Sequence, residues 1–387
     1  MFGKKTQDLT PADVVAALKG VKDPEIGRDL VDLNMIKDVK VEGSTISLMV
    51  NLTTPACPLK GQIDREVREA LTARLGETWQ IKITMGSEVR GKPFGEKGDI
   101  PGVKNVIAVG SGKGGVGKST MAATIAYGLK SYGASVGLMD ADVYGPSIPH
   151  LVGATGRPMA RGERIQPIEA AGLRLMSMGF LLEPEKAVIM RGPMLHGIIQ
   201  QFLHQVEWGE LDYLVIDLPP GTGDVPLSLA QALPLTGAVV VCTPQEVAIL
   251  DAVRAISMFR QLKVPMLGIV ENMSFFDVRA YLQQHGTPRV KELAAGALFS
   301  TDEEDRIHVF GKGGARRKAE ELGIPFLGEV PLNVALRERG DAGEIREALA
   351  EGSPSRPYLL RVVEALAAQI SVQNLKAPKM PKLEILN

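Results

Sequence analysis

The sequence predicts an α/β protein in which a mostly parallel sheet is covered by helices on both faces and is preceded by a small α+β domain. From Asn105 onward, short apolar runs alternate with helical patterns. A glycine-rich turn lies between the first of these apolar runs and the first of these helices, whereas residues 1–90 lack the alternation. Continuous apolar strands alternating with helices are typical of parallel sheets that are buried on both faces.

Residues 1–90 contain the elements of the small α+β domain. Thr10 and Pro11 begin a helix, as its N-cap and its first helical residue. The stretch KDVKVEGSTISLMVNL predicts two strands around a Glu-Gly-Ser turn. An amphipathic helix, LKGQIDREVREALTARLG, follows and ends at Gly76, and QIKITMG is a last strand. Residues 91–104, rich in Gly, Pro and charge, are predicted to be a linker.

The second domain is predicted to span residues 105–371, and residues 372–387 are predicted to form an extended tail. A helix over about 356–370 closes this domain. Ligands of such sheets bind at the carboxyl ends of the strands. The predicted strands are 106–110, 135–140, 173–180, 213–218, 237–243, 266–273 and 325–331.

Composition limits the classes of function. The 387 residues are 45% hydrophobic and 23% charged, which is ordinary for a soluble protein of two or three domains. The net charge of −1 gives no electrostatic support for nucleic-acid binding. The stretch MFGKKTQDLT lacks the apolar segment of a signal peptide, and no apolar run approaches about 20 residues. We therefore expect a cytoplasmic protein without a stable membrane anchor.

A phosphate-binding loop is predicted in VIAVGSGKGGVGKST, between a strand and a helix. In such loops the backbone N–H groups and the helix N-terminus hold the phosphates of a nucleotide. Lys118 is expected to neutralise the β- and γ-phosphates, and the Ser119 hydroxyl is expected to hold Mg²⁺. The predicted nucleotide-binding residues of the loop are Gly112, Gly114, Gly115, Val116, Gly117, Lys118, Ser119 and Thr120.

Carboxylates follow two of the predicted strands. Asp217 ends the strand in LVIDLPPGTGD, where a P-loop enzyme needs a carboxylate that holds Mg²⁺ through water. Asp140 and Asp142 follow the strand in GLMDADVYGPS, and one of them can orient the attacking water. Because ligands of these sheets bind at the strand ends, we expect these side chains to lie beside the loop.

Residues 105–350 resemble the Mrp-type P-loop ATPases, the iron–sulfur cluster carriers related to MinD, ParA and the nitrogenase iron protein. Residues 1–90, with KDPEIGRDLVDLNMI and LTTPACPLKGQI, resemble the small iron–sulfur-assembly domain that precedes the ATPase in many Mrp proteins. The motifs that carry the first resemblance are SGKGGVGKST, DADVYGPSIPHL, RGPMLHGIIQQFL, WGELDYLVIDLPPGTGD, TPQEVAILDA, ENMSFF, HVFGKGGA and GEVPLNVALRERGDAGE.

The resemblance implies a homodimeric ATPase that uses ATP and Mg²⁺ and acts on iron–sulfur client or assembly proteins. It explains Lys113, a second lysine in the loop, as a cation that reaches the phosphates held by the partner subunit in a nucleotide-bound dimer. A cation placed where charge develops, and present only when two subunits meet, acts like an arginine finger. The resemblance also implies that Asp142 belongs to switch I, that Asp217 and Gly221 belong to switch II, and that Asn272 recognises adenine.

One departure concerns the iron–sulfur cluster. Most Mrp proteins carry a C-x-x-C shortly after the N-M-S segment, and this chain has no cysteine there, in the insert over residues 273–309. Its two cysteines are Cys57, before a predicted helix where thiolate chemistry is favoured, and Cys242, in a predicted core strand. Cys57 is therefore the candidate ligand for a cluster, and His285 and His308 are expected to be loop or surface residues.

Two functions stay open at this point. The first is an ATPase of iron–sulfur cluster assembly or transfer, favoured by the N-terminal domain and the Mrp motifs. The second is a nucleotide-switched partner-binding ATPase in the manner of MinD and ParA, favoured by the missing C-x-x-C. A metabolic kinase is a weaker third reading, because no acceptor pocket is recognisable in the sequence.

Overall fold

The computed structural model describes residues 9–91, 99–181, 192–295 and 305–376. The chain divides into two compact units, Met1–Arg90 and Gly91–Asn387. Residues 92–98 of the predicted linker, residues 296–304 of the insert and residues 377–387 of the tail lie outside the described residues. No helix in the described ranges is both long enough and apolar enough to cross a membrane.

The first unit contains a three-stranded sheet and two helices, as the sequence predicts. Its strands β1 and β2 pair antiparallel around the predicted turn, and β3 pairs parallel to β2. Thr10 forms a capping box with Asp13 at the first helix, because each side chain accepts a hydrogen bond from the other's backbone N–H. The elements are α1 (Pro11–Ala17), β1 (Ile36–Glu42), β2 (Thr45–Leu52), α2 (Lys60–Leu75) and β3 (Gln80–Ser87).

The second unit is built on a sheet that has nine strands within the described residues. Its strands are β4 (Val103–Gly110), β5 (Val136–Asp140), β8 (Ile168–Ala170), β9 (Leu173–Ser177), β10 (Leu211–Asp217), β11 (Gly237–Cys242), β12 (Met266–Asp277), β13 (Arg306–Ile307) and β14 (Phe326–Leu332). A separate small hairpin consists of β6 (Ala160–Arg161) and β7 (Arg164–Ile165).

Helices follow most of these strands, as a parallel sheet requires. They are α3 (Lys118–Ser131), α4 (Ile148–Leu151), α5 (Gly192–His204), α6 (Asp224–Ala232), α7 (Glu246–Gln261), α8 (Val278–His285), α9 (Pro288–Ala295), α10 (Gly314–Leu322), α11 (Val334–Asp341) and α12 (Arg356–Lys376).

The strand order is β13-β12-β11-β4-β10-β5-β9-β8, with β14 also paired to β12. The central pairs are parallel, and β8 and β13 are antiparallel strands at the ends of this order. One face packs on α5, α6, α7 and α10, and the other on α3 and α12. The α3–α12 contact is close, because a Cβ at Gly128 would lie 2.4 Å from the Val363 side chain. The predicted fold class is confirmed.

Several local predictions differ from the structure. Strand β9 ends at Ser177, and the predicted remainder, Met178–Phe180, is a short 3₁₀ turn. Helix α12 continues to Lys376, so residues 372–376 of the predicted extended tail are helical. The described part of the insert contains α8, α9 and β13, which the sequence analysis did not resolve into elements. Each of these segments is short, and short segments carry little periodic pattern.

Candidate nucleotide site

The predicted phosphate loop lies between the carboxyl end of β4 and the first turn of α3. Its last glycine, Gly117, is the N-cap of α3 and has a φ of 83°, a conformation that favours glycine. A Cβ at this position would lie 2.2 Å from Nδ2 of Asn272. Glycine is therefore required both by the backbone turn and by the side chain packed against it.

The first glycine of the motif is required by a different neighbour. A Cβ at Gly112 would lie 2.1 Å from the backbone carbonyl carbon of Asp251, in α7. In the middle of the loop, Gly115 has a φ of 79°, and neither it nor Gly114 has an atom within 4 Å of the position of a Cβ. The loop is thus packed on α7 at one end and open in its middle, where phosphates would lie.

Lys118 and Asp217 form a buried ion pair beside the loop. Nζ of Lys118 lies 2.5 Å from Oδ1 of Asp217 and 3.2 Å from Oγ of Ser119. The second carboxylate oxygen of Asp217 is buried and has no hydrogen-bond partner among the described residues. A buried carboxylate oxygen in this position fits a Mg²⁺-bound water, and Ser119 offers the adjacent hydroxyl, so these residues suit Mg·ATP.

The two aspartates that follow β5 have different surroundings. Asp140 is fully buried and accepts hydrogen bonds from the backbone N–H groups of Asp142 and Ile148. Burial, reinforced by the charge of Asp217, raises the pKa of Asp140 to about 8. Asp142 is half-buried and caps the turn at Gly145. The loop edge therefore carries one buried carboxyl, whose protonated form is favoured by burial, and one half-buried aspartate side chain.

Lys113 is held at the start of α7. Its Nζ lies 3.2 Å from Oε1 of Gln245, the N-cap residue of that helix. Lys118, in contrast, is paired with the carboxylate of Asp217. The two lysines of the loop therefore have separate partners, and in this conformation Lys113 is held by a neutral amide.

The loop that follows Asp217 is tied to the phosphate loop by its backbone. The N–H of Gly221 donates to the carbonyl oxygen of Ser111 over 2.9 Å, and Gly221 has a φ of 95°. The two loops are therefore joined by a direct backbone hydrogen bond.

Asn272 lies in the middle of β12, against the phosphate loop. Its Nδ2 donates to the carbonyl oxygen of Val116 over 2.9 Å. Beside it is a cavity of about 180 Å³, lined on one side by Gly117 and Thr120. The residues on the other side were not among the predicted site residues, although P-L-N spans the carboxyl end of β14, at the ligand-binding edge of the sheet. These residues are Pro331, Leu332, Asn333, Leu336, Arg337 and Asp341.

The residue before Asn272 serves a different element. Glu271 is fully buried, and its Oε2 accepts a hydrogen bond of 2.8 Å from the N–H of Ala315, at the N-terminus of α10. Its Oε1 accepts a hydrogen bond of 2.6 Å from Oγ of Ser274. A carboxylate at a helix N-terminus is favourable, so Glu271 stabilises α10 against the sheet. No sequence signal distinguished it from an ordinary strand residue.

The two cysteines lie in different units of the chain. Cys242 is buried in β11, and burial together with the nearby charge of Glu271 raises the pKa of its thiol to about 12. Cys57 is half-buried and precedes α2. Within the described residues, no group of three or more His, Cys, Asp or Glu side chains could hold a metal ion. His308 instead packs at the edge of Phe275, and His285 stacks on Tyr281.

The site combines a glycine-rich loop before a helix N-terminus with a buried lysine at the end of that loop. The neighbouring strand in the sheet, β10, ends in a carboxylate. This combination defines a P-loop NTPase. Residues 102–295 match the family model described as NUBPL iron-transfer P-loop NTPase. Residues 11–83 match the model described as iron–sulfur cluster assembly protein.

Known proteins match across almost the whole chain. It is 47% identical over 364 residues to the iron–sulfur cluster carrier protein of Deinococcus radiodurans, covering 94% of this chain and 96% of that one. It is 43% identical over 374 residues to that of Synechocystis, covering 95% and 99%. The solved nucleotide-binding protein in complex with ADP from Archaeoglobus fulgidus is 39% identical, with a TM-score of 0.53, covering 64% of this chain and 90% of that one. The chain belongs to the iron–sulfur cluster carrier family of P-loop NTPases.

Proposed function

We propose that this protein is a homodimeric ATPase that acts in iron–sulfur cluster assembly or transfer to client proteins. The observation that carries the ATPase part is the buried Lys118–Asp217 pair beside the open phosphate loop, with one carboxylate oxygen left unpartnered. The iron–sulfur part is supported by the names of the relatives and by the assembly-type domain at residues 11–83.

The proposed roles of the site residues follow from their positions. Lys118 binds the β- and γ-phosphates, Ser119 and Asp217 hold Mg²⁺ directly and through water, and Asp142 orients the attacking water. Asn272 and the cavity beside it receive the adenine. The metal supplies charge neutralisation at the phosphates when it is bound.

Lys113 is proposed to act on the second subunit of the dimer. Its resting partner is the neutral amide of Gln245 over 3.2 Å, so leaving that position breaks no ion pair. A cation that enters a site only when two subunits meet makes hydrolysis dependent on dimerisation. We therefore expect slow turnover that rises with protein concentration.

A single experiment tests both parts of this proposal. The protein is loaded with iron and sulfide anaerobically, then mixed with an apo acceptor protein whose activity requires a [4Fe–4S] cluster. We expect cluster transfer to the acceptor only when the wild-type protein is present. We also expect hydrolysis of Mg·ATP that is lost in the Lys118→Ala variant. Hydrolysis without any transfer would instead support the second candidate.

The second candidate is a nucleotide-switched partner-binding ATPase with no cluster of its own. The specific observation in its favour is the lack of a metal-ligand group among the described residues, together with the burial of Cys242. A visible absorption spectrum after anaerobic reconstitution, with iron and sulfide counts, distinguishes the two candidates. This candidate predicts that the protein binds ATP but takes up no iron.

A further inference from the structure

Strand β12 carries a bulge beside the nucleotide site. Asn272 pairs with Val330 of β14, and the next pair of the register joins Phe276 to Leu332. Strand β12 therefore advances four residues, from 272 to 276, where β14 advances two, from 330 to 332. A bulge bends its strand and re-aims side chains, and bulges are frequent next to active sites.

The bulge contains a backbone conformation that side chains rarely adopt. Met273 has a φ of 54°, in the left-handed region that favours glycine. Opposite the bulge, β14 carries Pro331, whose nitrogen has no hydrogen to donate to the ladder. Left-handed backbone at a residue other than glycine persists only where its surroundings hold it, and such residues cluster at functional sites. The bulge must therefore be held by neighbouring contacts.

Glu271 and Ser274 supply such a contact across the bulge. Oγ of Ser274 donates a hydrogen bond of 2.6 Å to Oε1 of Glu271, three residues earlier in the strand. Oε2 of the same carboxylate accepts from the N–H of Ala315 over 2.8 Å. Both side chains are buried, so water does not compete for these bonds. The carboxylate thus joins the bulge to the N-terminus of α10.

The two residues between Glu271 and Ser274 line the candidate nucleotide site. Asn272 and Met273 both contribute to the cavity of about 180 Å³ beside the phosphate loop. The amide of Asn272 donates from Nδ2 to Val116, so Oδ1 is the acceptor that remains for a ligand. Adenine presents an amino donor at the position where guanine presents a carbonyl acceptor. An amide held in this orientation therefore favours adenine over guanine.

We infer that Glu271 and Ser274 are positioning residues that set the preference of the site for adenine. Neither is among the residues that line the cavity, so they act through the backbone of Asn272 and Met273. Without the hydrogen bond between them, the left-handed backbone is free to relax and the Asn272 amide turns with it. This inference rests on the proposed function, in which Asn272 receives the adenine.

The test measures the affinities of the full chain for Mg·ATP and Mg·GTP by isothermal titration calorimetry. Ser274→Ala removes the hydrogen bond across the bulge, so it should weaken Mg·ATP binding about three- to tenfold and leave Mg·GTP binding nearly unchanged. The matched control is Ser371→Ala, because the Ser371 hydroxyl is also buried and donates over 3.0 Å to the carbonyl oxygen of Ala367 in α12. This control should keep the wild-type ratio of the two affinities.

A conservative variant tests the hydrogen bonds apart from the charge. Glu271→Gln can keep both bonds, because its amide oxygen accepts from Ala315 and its amide nitrogen donates to the Ser274 hydroxyl, which can also accept. Its ratio of ATP to GTP affinity should lie close to the wild-type ratio. A ratio that falls as far as in Ser274→Ala would overturn the role of these bonds.

The outcomes separate this inference from the proposed function. Wild-type affinities in Ser274→Ala would overturn the inference and leave the proposed function standing. An equal loss of ATP and GTP binding in that variant would do the same, because it indicates general damage to the site. A wild type that binds ATP and GTP equally well would also overturn the inference alone, whereas a wild type that binds neither nucleotide would overturn the proposed function as well.

Discussion

The ammonium nitrogen of Lys118 lies 2.5 Å from a carboxylate oxygen of Asp217, and the two residues are 99 positions apart in the chain. Neither side chain is more than 6% exposed. Without nucleotide, this lysine is therefore neutralised by the carboxylate at the end of β10. If Lys118 binds the phosphates as proposed, Mg·ATP replaces that partner with phosphate oxygens, and we expect nucleotide binding to affect the segment that follows Asp217.

Lys118→Ala should weaken Mg·ATP binding by about 100-fold or more, because hydrogen bonds to charged groups contribute about 1.5–3 kcal/mol each. Isothermal titration calorimetry measures the affinity. The matched control is Lys104→Ala. Lys104 also forms an ion pair of 2.8 Å, with Asp212, but this pair lies at the amino ends of β4 and β10, away from the loop. Unchanged affinity in Lys118→Ala would contradict the assignment of the loop.

Lys113→Ala should bind ATP normally, because Lys118 and the loop amides remain, and should lose most hydrolysis. Cations supplied by a second subunit contribute roughly 10³–10⁵-fold in the strongest cases, and slow ATPases show less. Asp142→Asn should behave in the same way, with binding and little turnover. Phosphate release under single-turnover conditions measures both variants, and wild-type rates in Lys113→Ala would refute its action across the dimer.

Gly112→Ala should destabilise the nucleotide-free protein by about 1–3 kcal/mol or more, because the new Cβ would lie 2.1 Å from a backbone atom of α7 and one of the two segments would have to shift. Gly114→Ala is the matched variant in the same loop, with no atom within 4 Å of its Cβ position. Its free energy of unfolding should change by less than about 1 kcal/mol. Chemical denaturation compares the two, and equal stabilities would contradict the packing of the loop on α7.

Asp140 should make the nucleotide-free protein less stable as the pH rises. Its pKa is raised to about 8 in the folded state, above its ordinary value, so the folded protein holds a proton that the unfolded chain releases. The contribution of this group to the free energy of unfolding is fully present below about pH 4. It decreases between about pH 4 and pH 8, by up to ~1.4 kcal/mol per pH unit.

Comparison with Asp140→Asn isolates this effect, because the substitution removes the titrating group. The free energy of unfolding of the wild type, minus that of the variant, should fall between about pH 4 and pH 8 and then level off. Denaturation curves at several pH values measure this difference. A difference that stays constant or grows with pH would contradict a raised pKa for Asp140.

Any iron–sulfur cluster on this protein should depend on Cys57. Cys242 is buried with a pKa raised to about 12, so it is a poor source of thiolate. Cys57→Ser and a chain of residues 91–387 should both lose the iron that reconstituted wild-type protein takes up. Absorbance near 400 nm with about four irons per dimer in residues 91–387 would show that the second unit holds a cluster by itself.

Local patterns predicted the phosphate loop and the central strands. The glycines between β4 and α3 are adjacent in sequence, and the continuous apolar runs mark strands that are buried on both faces. Strand β13 has only two residues, too few for any periodic signal. The helices α8 and α9 have eight residues each, which gives a periodic pattern little length in which to appear, and α8 contains no buried residue.

The contacts between distant segments could not be predicted. Gln245 holds Lys113 from 132 residues away, and Asn272 bonds to Val116 from 156 residues away. Pattern rules describe neighbours along one element, whereas these partners are set by the order of strands in the sheet. The family resemblance predicted roles for Asn272 and Lys113, but it gave no information on the hydrogen-bond partners that they have in this structure.

Glu271 and Asn272 are consecutive residues of one strand, yet one binds the N-terminus of α10 and the other binds the phosphate loop. Successive side chains of a strand point to opposite faces of the sheet, so a one-residue slip would exchange them. The carboxylate would then meet the carbonyl oxygen of Val116, and two acceptors cannot form a hydrogen bond. Strand β12 therefore cannot gain or lose a single residue before this pair, whereas extra chain is accommodated after Asp277, where α8 and α9 are inserted.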